Sequence, residues 1–523
     1  MQQLKDLPIG ESDITKLLTG NFTYVDKTKY AYEMVRKPSK YFLSRPRRFG
    51  KSTLLSTLNE IFKGNKELFK DQWIYNSPYT WDIYPIIRLD FNVAFNVDLE
   101  WYIRDALRTI SIENDIFNET EFNQLPYSMY FRALIYKLHK KYSQRVVILI
   151  DEYDKPILDM VDNIPLAIEK REILKGFYSV MKGLDEYIQF IFLTGVSRFS
   201  KVGIFSGLNN LNDISMTKQY DAVCGITEEE LVNTYHTHIN NLAIIEGIDY
   251  QTCLNKIKDW YNGFNFCRNA ISVYNPFSTL QLFQHQKFSN YWFATGSPTF
   301  LIKLIKKETN LNIEQFDGCQ VQQNDFDSFE IDNLRLTAIL FQTGYLTIKS
   351  YDVDLDAYTL TYPNREINKS FKESLLNGLT KQTDTNAGYL FKIIKGLKAN
   401  DIEEVINNLK QIFLNLDYDI VISKEQHYQN IIYLIFQLLG YLISTEYKTS
   451  RGRIDAIIQT STHVYIFEFK LDKTAQEAIA QIKSKNYYER FTKQGKDIYL
   501  IGINFNSNER CIDDYVVEAI ASQ

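Results

Sequence analysis

Apolar residues along the first two hundred positions come in short unbroken runs. Residues 145–150 (RVVILI) are an apolar, β-branched run, and 188–194 (IQFIFLT), 41–43 (YFL) and 84–92 (YPIIRLDFN) read as further strands. Between them lie longer stretches with helical spacing, such as Leu54, Leu55, Leu58, Ile61 and Phe62. Continuous apolar strands separated by helices predict a parallel sheet covered on both faces. From about residue 226 helical patterns take over, interrupted by the aromatic, turn-rich segments WYNGFNF, VYNPFSTL and YWFATG between Trp260 and Gly296. Residues 333–362 read as a helix and two strands, the order of a small winged-helix unit. Residues 366–415 and 423–443 read as helical, and strands and one helix close the chain. The expected organisation is a P-loop-like α/β domain over 1–225, a mainly helical middle over 226–420, and a small α/β domain over 421–523.

Composition narrows this only a little. The 523 residues are 45% hydrophobic and 14% aromatic, enough for several cores and against disorder. Net charge is −5, so phosphate contact requires a local cluster of Lys and Arg, not a basic average. The five cysteines, Cys224, Cys253, Cys267, Cys319 and Cys511, form no CxxC pair, which excludes a zinc module and suits a reducing compartment. The N-terminus lacks the layout of a signal peptide, and no run reaches the ~20 apolar residues of a membrane span. A soluble cytoplasmic protein is expected, with no membrane partner. Its oligomeric state is not readable.

Two places carry chemistry. The first is the loop Arg45-Pro46-Arg47-Arg48-Phe49-Gly50-Lys51-Ser52-Thr53 between a strand and a helix. A GxxxxGK[ST] loop rings phosphates with backbone N–H groups, neutralises them with lysine and reaches Mg²⁺ with the hydroxyl. The second half of that pattern is present, but Arg45 stands where the first glycine belongs. The run VVILIDE has the form of a Walker B strand, with Asp151 for the Mg²⁺ shell and Glu152 to polarise water. A later strand, IFLTGVSR, ends in Thr194, Ser197 and Arg198, where a polar sensor of the γ-phosphate would lie; ordinary turn chemistry explains Thr194 and Ser197 equally well. The expected nucleotide set is Arg47, Arg48, Gly50, Lys51, Ser52, Thr53, Asp151, Thr194 and Arg198, with Ser52 and Asp151 on the metal. For the basic cluster three readings stand: contact with phosphate, contact with acids such as Asp26, or a solvated loop.

The second place is GRID (452–455) followed by VYIFEFK (464–470). Glu468 and Lys470, two apart in a strand, leave the same face. Asp455 lies thirteen residues earlier, the length of a hairpin that returns beside Glu468. Two carboxylates and an ammonium at one point suit a hard divalent cation and hydrolysis of a phosphodiester. A chance E-x-K on an exposed edge is the alternative, opposed by the apolar character of Val464, Ile466, Phe467 and Phe469. Glu425, opening the helix QHYQNIIYLIFQLLGYLI, is a candidate further carboxylate, and Glu446 is its rival. Gln481 and Lys485 could reach phosphate or the active site, or simply be solvated. His427 and His463 read as surface or satisfied histidines.

Together YVDKT (24–28), FLSRPRRFGKST (42–53), LIDEYDKP (149–156) and YNPFS (274–278) resemble the AAA-ATPase-like family of prokaryotic proteins. In that family the ATPase part is joined to a C-terminal domain of the PD-(D/E)xK nuclease superfamily, and the loop carries the same missing glycine. The resemblance covers nearly the whole chain. The expected function is an ATP-linked, Mg²⁺-dependent nucleic-acid-processing enzyme, with Mn²⁺ a possible substitute at the nuclease site and DNA placed ahead of RNA as partner. The competing reading is a nucleotide-binding switch with weak or no hydrolysis, whose nuclease-like domain serves as a binding or effector module.

Overall fold

The computed structural model describes residues 5–93, 98–198, 204–205, 208, 210–293, 299–307, 312–326, 335–380, 386–416, 425–442, 455–486, 488–509 and 511–520. The chain forms two compact units, residues 1–296 with 316–367, and 297–315 with 368–523. This two-part division cuts through the middle stretch; the three-segment division at 225 and 420 is kept as a proposal.

The first unit is built on a parallel sheet of five strands, β1 (Ser39–Ser44), β2 (Ile86–Asp90), β3 (Val146–Asp151), β4 (Ile188–Gly195) and β5 (Asn212–Asp213), in the order β2-β3-β4-β1-β5. Every neighbouring pair is parallel. Strand β3 is buried at all six positions, as its unbroken apolar run predicts for a strand covered on both faces. Helix Lys51–Phe62 follows β1 directly, with its apolar stripe of Leu55, Leu58, Ile61 and Phe62 fully or almost fully buried. In such a sheet the C-terminal edge gathers the loops that bind ligands, and both the loop 45–50 and the acidic pair 151–152 leave the sheet at that edge.

The same unit continues with a short antiparallel pair, β6 (Ile226–Thr227) and β7 (Val273–Tyr274). Three helices, Glu228–Glu246, Tyr250–Tyr261 and Pro276–His285, close over a core that includes Leu231, Tyr235, Ile257 and Leu282. Helix Glu228–Glu246 opens on a capping box between Thr227 and Glu230, which satisfies two free amides at its start. Then come β8 (Cys319–Val321), helix Leu336–Gln342, β9 (Thr347–Asp352) and β10 (Ala357–Thr361), with the sheet order β8-β10-β9. The helix-and-hairpin order read from 333–362 is present, and β8 adds a third strand to it.

The second unit holds a four-stranded sheet, β11 (Asp455–Gln459), β12 (His463–Leu471), β13 (Asp497–Asn506) and β14 (Cys511–Ile520), in chain order. β11–β12 and β13–β14 are antiparallel; β12–β13 is parallel and is bridged by helix Ala475–Ser484. That helix covers one face through Ile479 and Ile482 against Ile457, Val464, Ile466, Ile498 and Leu500. It lies so close that a Cβ on Gly502 would collide with the Ala475 carbonyl. The other face carries Phe467, Phe469 and Phe505, which meet Phe436, Phe413 and Tyr428 of helices Ile402–Leu414 and Glu425–Leu442. Alternation along β12 therefore sends even-numbered side chains towards helix Ala475–Ser484 and odd-numbered ones to the opposite helical layer. Among the described residues no helix is long and apolar enough to cross a membrane.

Candidate functional site

In the first unit, Lys51 begins its helix behind Gly50, which takes φ 95°, and Arg48 takes φ 68°. Such positive φ values are costly for a side-chain-bearing residue and mark a loop held in one shape. Lys51 is almost fully buried; its ammonium donates to the Pro46 carbonyl at 3.3 Å and sits 3.5 Å from Glu152 Oε1. Glu152 itself takes φ 49°. Asp151 lies beside Ser52, and its register partner on β2 is Asp90. Burial pushes the Asp151 carboxyl up to about 6, with Glu152 and Asp90 adding to the shift and Ser52 and Lys51 opposing it. A buried carboxylate whose desolvation outweighs the nearby Lys51 suits a divalent cation. Ser52 and Asp151 are the residues that would hold one.

A cavity of about 490 Å³ opens from this loop. Its lining includes Arg47, Arg48, Gly50, Lys51, Ser52 and Thr53, with Glu152. Tyr24, Val25, Tyr235, Phe277 and Leu280 add apolar and aromatic surface to its lining, and Phe277 stacks against Arg48. Cations and amides together with apolar surface fit a polyphosphate carrying a flat base.

The remaining expected residues have other partners. Thr194 is fully buried and its hydroxyl donates to the Leu43 carbonyl on the neighbouring strand, 2.9 Å away. Arg198 forks onto Asp213 through Nε and Nη2, at 3.1 and 2.7 Å, and its amide donates to Gln342. Arg45 is 1% exposed. Its Nη1 donates to the carbonyls of Ser44 and Ser215, its Nη2 to that of Tyr220, and its guanidinium lies 4.2 Å from the Phe266 ring centre. Asp26 accepts from the amides of Thr28 and Trp73. Asp154 lies outside the nucleotide set expected from the sequence. It is fully buried and accepts from the amides of Val196 and Ser197 and from the Ser197 hydroxyl, tying the acidic segment to the end of β4. The only hint was its place in LIDEYDKP.

In the second unit, β11 and β12 pair so that Asp455 stands opposite Glu468. Glu468 is 1% exposed. Its Oε1 accepts from Lys470 Nζ at 2.8 Å, and its Oε2 is buried with no hydrogen-bond partner among the described residues. Leaving a carboxylate oxygen unpaired in a buried site is expensive, and a cation removes that cost. Lys470 Nζ also donates to Gln481 Oε1 at 2.6 Å, so the helix that crosses from β12 to β13 fixes the ammonium. Gln481, for which the sequence left phosphate, active site or solvent open, thus meets the lysine. Glu468, with its register partner Asp455, would hold the metal. The side chains of Asp455, Glu425 and His427, and the whole of Glu446, lie outside the described residues. His463 sits at the far end of β12, its Nδ1 at 2.8 Å from the Thr462 hydroxyl. Among the described residues no group of three His, Cys, Asp or Glu side chains forms a closed cage; Mg²⁺ commonly takes one or two carboxylates and keeps its waters.

A basic loop ending in Gly50-Lys51-Ser52 on a parallel sheet, followed by a four-stranded sheet bearing D…E-x-K, is the arrangement of a two-part protein with an ATPase-like unit and a nuclease-like unit. Comparison with known proteins agrees. Residues 8–205 match the family model described as predicted AAA-ATPase, and residues 423–515 match the PD-(D/E)XK nuclease superfamily. An uncharacterized protein in the vnfD 5′ region of Azotobacter chroococcum mcd 1 is 36% identical over 532 residues, spanning 99% of both chains. The chain belongs to this family of AAA-ATPase-like proteins with a C-terminal PD-(D/E)XK nuclease domain. The two domain families point to ATPase and nuclease activity, and such families generally use a nucleotide and a divalent metal.

Proposed function

We propose that this protein is an ATP-linked, Mg²⁺-dependent enzyme that processes nucleic acid, with phosphodiester cleavage at Asp455, Glu468 and Lys470. The observation that carries the reading is the buried Oε2 of Glu468, which has no hydrogen-bond partner among the described residues, beside Lys470 and in register with Asp455. A bound divalent cation would supply an activated water and a counter-charge for the phosphate. Glu468 is held within β12, opposite the first residue of β11. Lys470, pinned by Gln481, presents an ammonium to the attacking water or the phosphate oxygen. In the other unit Lys51 neutralises nucleotide phosphate. Its pairing with Glu152 means that arriving phosphate draws the ammonium away and frees Glu152 to polarise water.

A second reading is favoured by one observation. Arg45 fills the place of the first loop glycine and is buried away from the cavity, so hydrolysis could be slow and the nucleotide a switch. The deciding experiment uses purified full-length protein with single- and double-stranded DNA and RNA, with and without Mg²⁺ or Mn²⁺ and ATP, together with a steady-state ATPase assay. DNA cleavage that needs metal supports the first reading; no cleavage on any substrate sinks it. Binding of ATP without turnover favours the switch. A cytoplasmic location and DNA over RNA belong to the same proposal.

A further inference from the structure

The phosphate loop is braced from outside at every residue from Arg45 to Phe49. Arg45 is caged by the carbonyls of Ser44, Ser215 and Tyr220. Pro46 packs on Gly344, at which a Cβ would come within 2.8 Å of the proline ring and whose φ is 89°. The Arg47 carbonyl accepts from the indole Nε1 of Trp292 at 3.1 Å. The Arg48 guanidinium lies 4.8 Å from the Phe277 ring centre. Phe49 is edge-on to Phe264 and Phe266 at 4.8 and 5.6 Å, and its carbonyl accepts from the Gly225 amide at 3.1 Å. Almost all of these contacts come from residues after the parallel sheet. Trp292 is itself anchored: its amide donates to Oε1 of the fully buried Glu366 at 2.8 Å, and its ring meets Tyr345 at 5.3 Å.

A glycine-rich loop finds its phosphate-binding shape through backbone freedom. This loop has an arginine in place of the first glycine and a non-glycine residue at positive φ, so its shape must be imposed by its neighbours. We infer that Trp292 is a positioning residue for nucleotide binding, tying the Arg47 carbonyl to Glu366 so that Phe264, Phe266, Trp292, Gly344 and Glu366 together clamp the phosphate loop. The inference rests on reading 45–53 as the nucleotide site. Linkage is reciprocal: if the clamp strengthens phosphate binding, bound phosphate strengthens the clamp by the same factor. The ligand it acts on is the polyphosphate, because Trp292 touches the loop backbone and does not line the cavity.

Isothermal titration of the full-length protein with Mg²⁺·ATP and with inorganic tripolyphosphate tests this. Trp292→Phe removes the indole donor and keeps an aromatic ring. It should weaken both ligands by about tenfold, the size of one lost well-placed hydrogen bond. Glu366→Ala should weaken them similarly, and Glu366→Gln, which keeps an acceptor oxygen, should recover most of the loss. A merely structural role would lower the melting temperature and the bound stoichiometry without moving Kd. A wild-type Kd in Trp292→Phe overturns the proposal. Wild-type protein that binds neither ligand removes the nucleotide reading itself, and the inference with it.

Discussion

The two candidate sites are built in opposite ways. The nuclease-like site is local. Asp455, Glu468, Lys470 and Gln481 fall within one hairpin and the helix that follows, and register alone places the first two opposite each other. The nucleotide site is distributed. Its loop follows β1, its carboxylates come from β2 and β3, and its brace comes from residues up to 366. A local site needs only its strands to pair. A distributed site needs the whole unit folded, and so it can respond to events far along the chain.

Substitutions should expose that contrast. The largest effect is expected at the cleavage site. Asp455→Ala or Glu468→Ala should cut metal-dependent cleavage at least a hundredfold, about 3 kcal/mol of transition-state stabilisation, and weaken Mn²⁺ binding. Lys470→Ala should lose cleavage yet bind Mn²⁺ nearly normally. Neither change should alter ATP binding measured calorimetrically. Full cleavage by the Asp455→Ala, Glu468→Ala double mutant would contradict the assignment.

Next in size is Lys51→Ala, which should abolish ATP binding and leave Mn²⁺ binding at the second unit intact. Equal ATP affinity in wild type and mutant would show that the loop is not the nucleotide site. Glu152→Gln should keep binding and lose turnover.

A third effect depends on pH. Asp151 is raised to about 6 in the folded state, against about 3.9 for an unperturbed aspartate. Its ionised form is therefore disfavoured by folding. The stability associated with its neutral form is present at acid pH and is lost as pH rises from about 4 through 6. Asp151→Asn should accordingly raise the melting temperature at pH 8 more than at pH 4.5. Mg²⁺·ATP needs the ionised form, so its affinity should fall as pH drops below 6, and this dependence should vanish in Asp151→Asn. A flat wild-type affinity between pH 5 and 8 would rule out Asp151 as the metal-side carboxylate.

The smallest effect sharpens the local site. Gln481→Ala removes the group that pins Lys470. It should slow cleavage by roughly tenfold, about 1.4 kcal/mol, with Mn²⁺ affinity unchanged. A parallel loss of metal affinity would mean that Gln481 acts on the metal instead.

What the chain declares by itself is whatever depends on short-range pattern. Unbroken apolar runs announced β3 and β4, which are buried nearly throughout, whereas β2 is broken by Arg88 and Asp90, which are exposed. A period of two put Glu468 and Lys470 on one face, and hairpin length was enough to bring Asp455 into register. GKS after a strand was legible because the strand, loop and helix are adjacent in sequence. What only the tertiary structure decided are the partners of side chains whose neighbours lie far away. Arg45 was one of several basic residues beside the lysine; its burial among the carbonyls of 44, 215 and 220 is set by chain crossing over at long range. Thr194 had a hydroxyl at the right place in a strand, but which acceptor it meets depends on β1 lying beside β4. Asp154 carried only its place in LIDEYDKP and Trp292 no signal of its own, because a hydrogen bond between residues 43 or 245 positions apart leaves no periodicity to read. Hydrophobic pattern is a property of neighbours along the chain, whereas polar partnership is a property of neighbours in space.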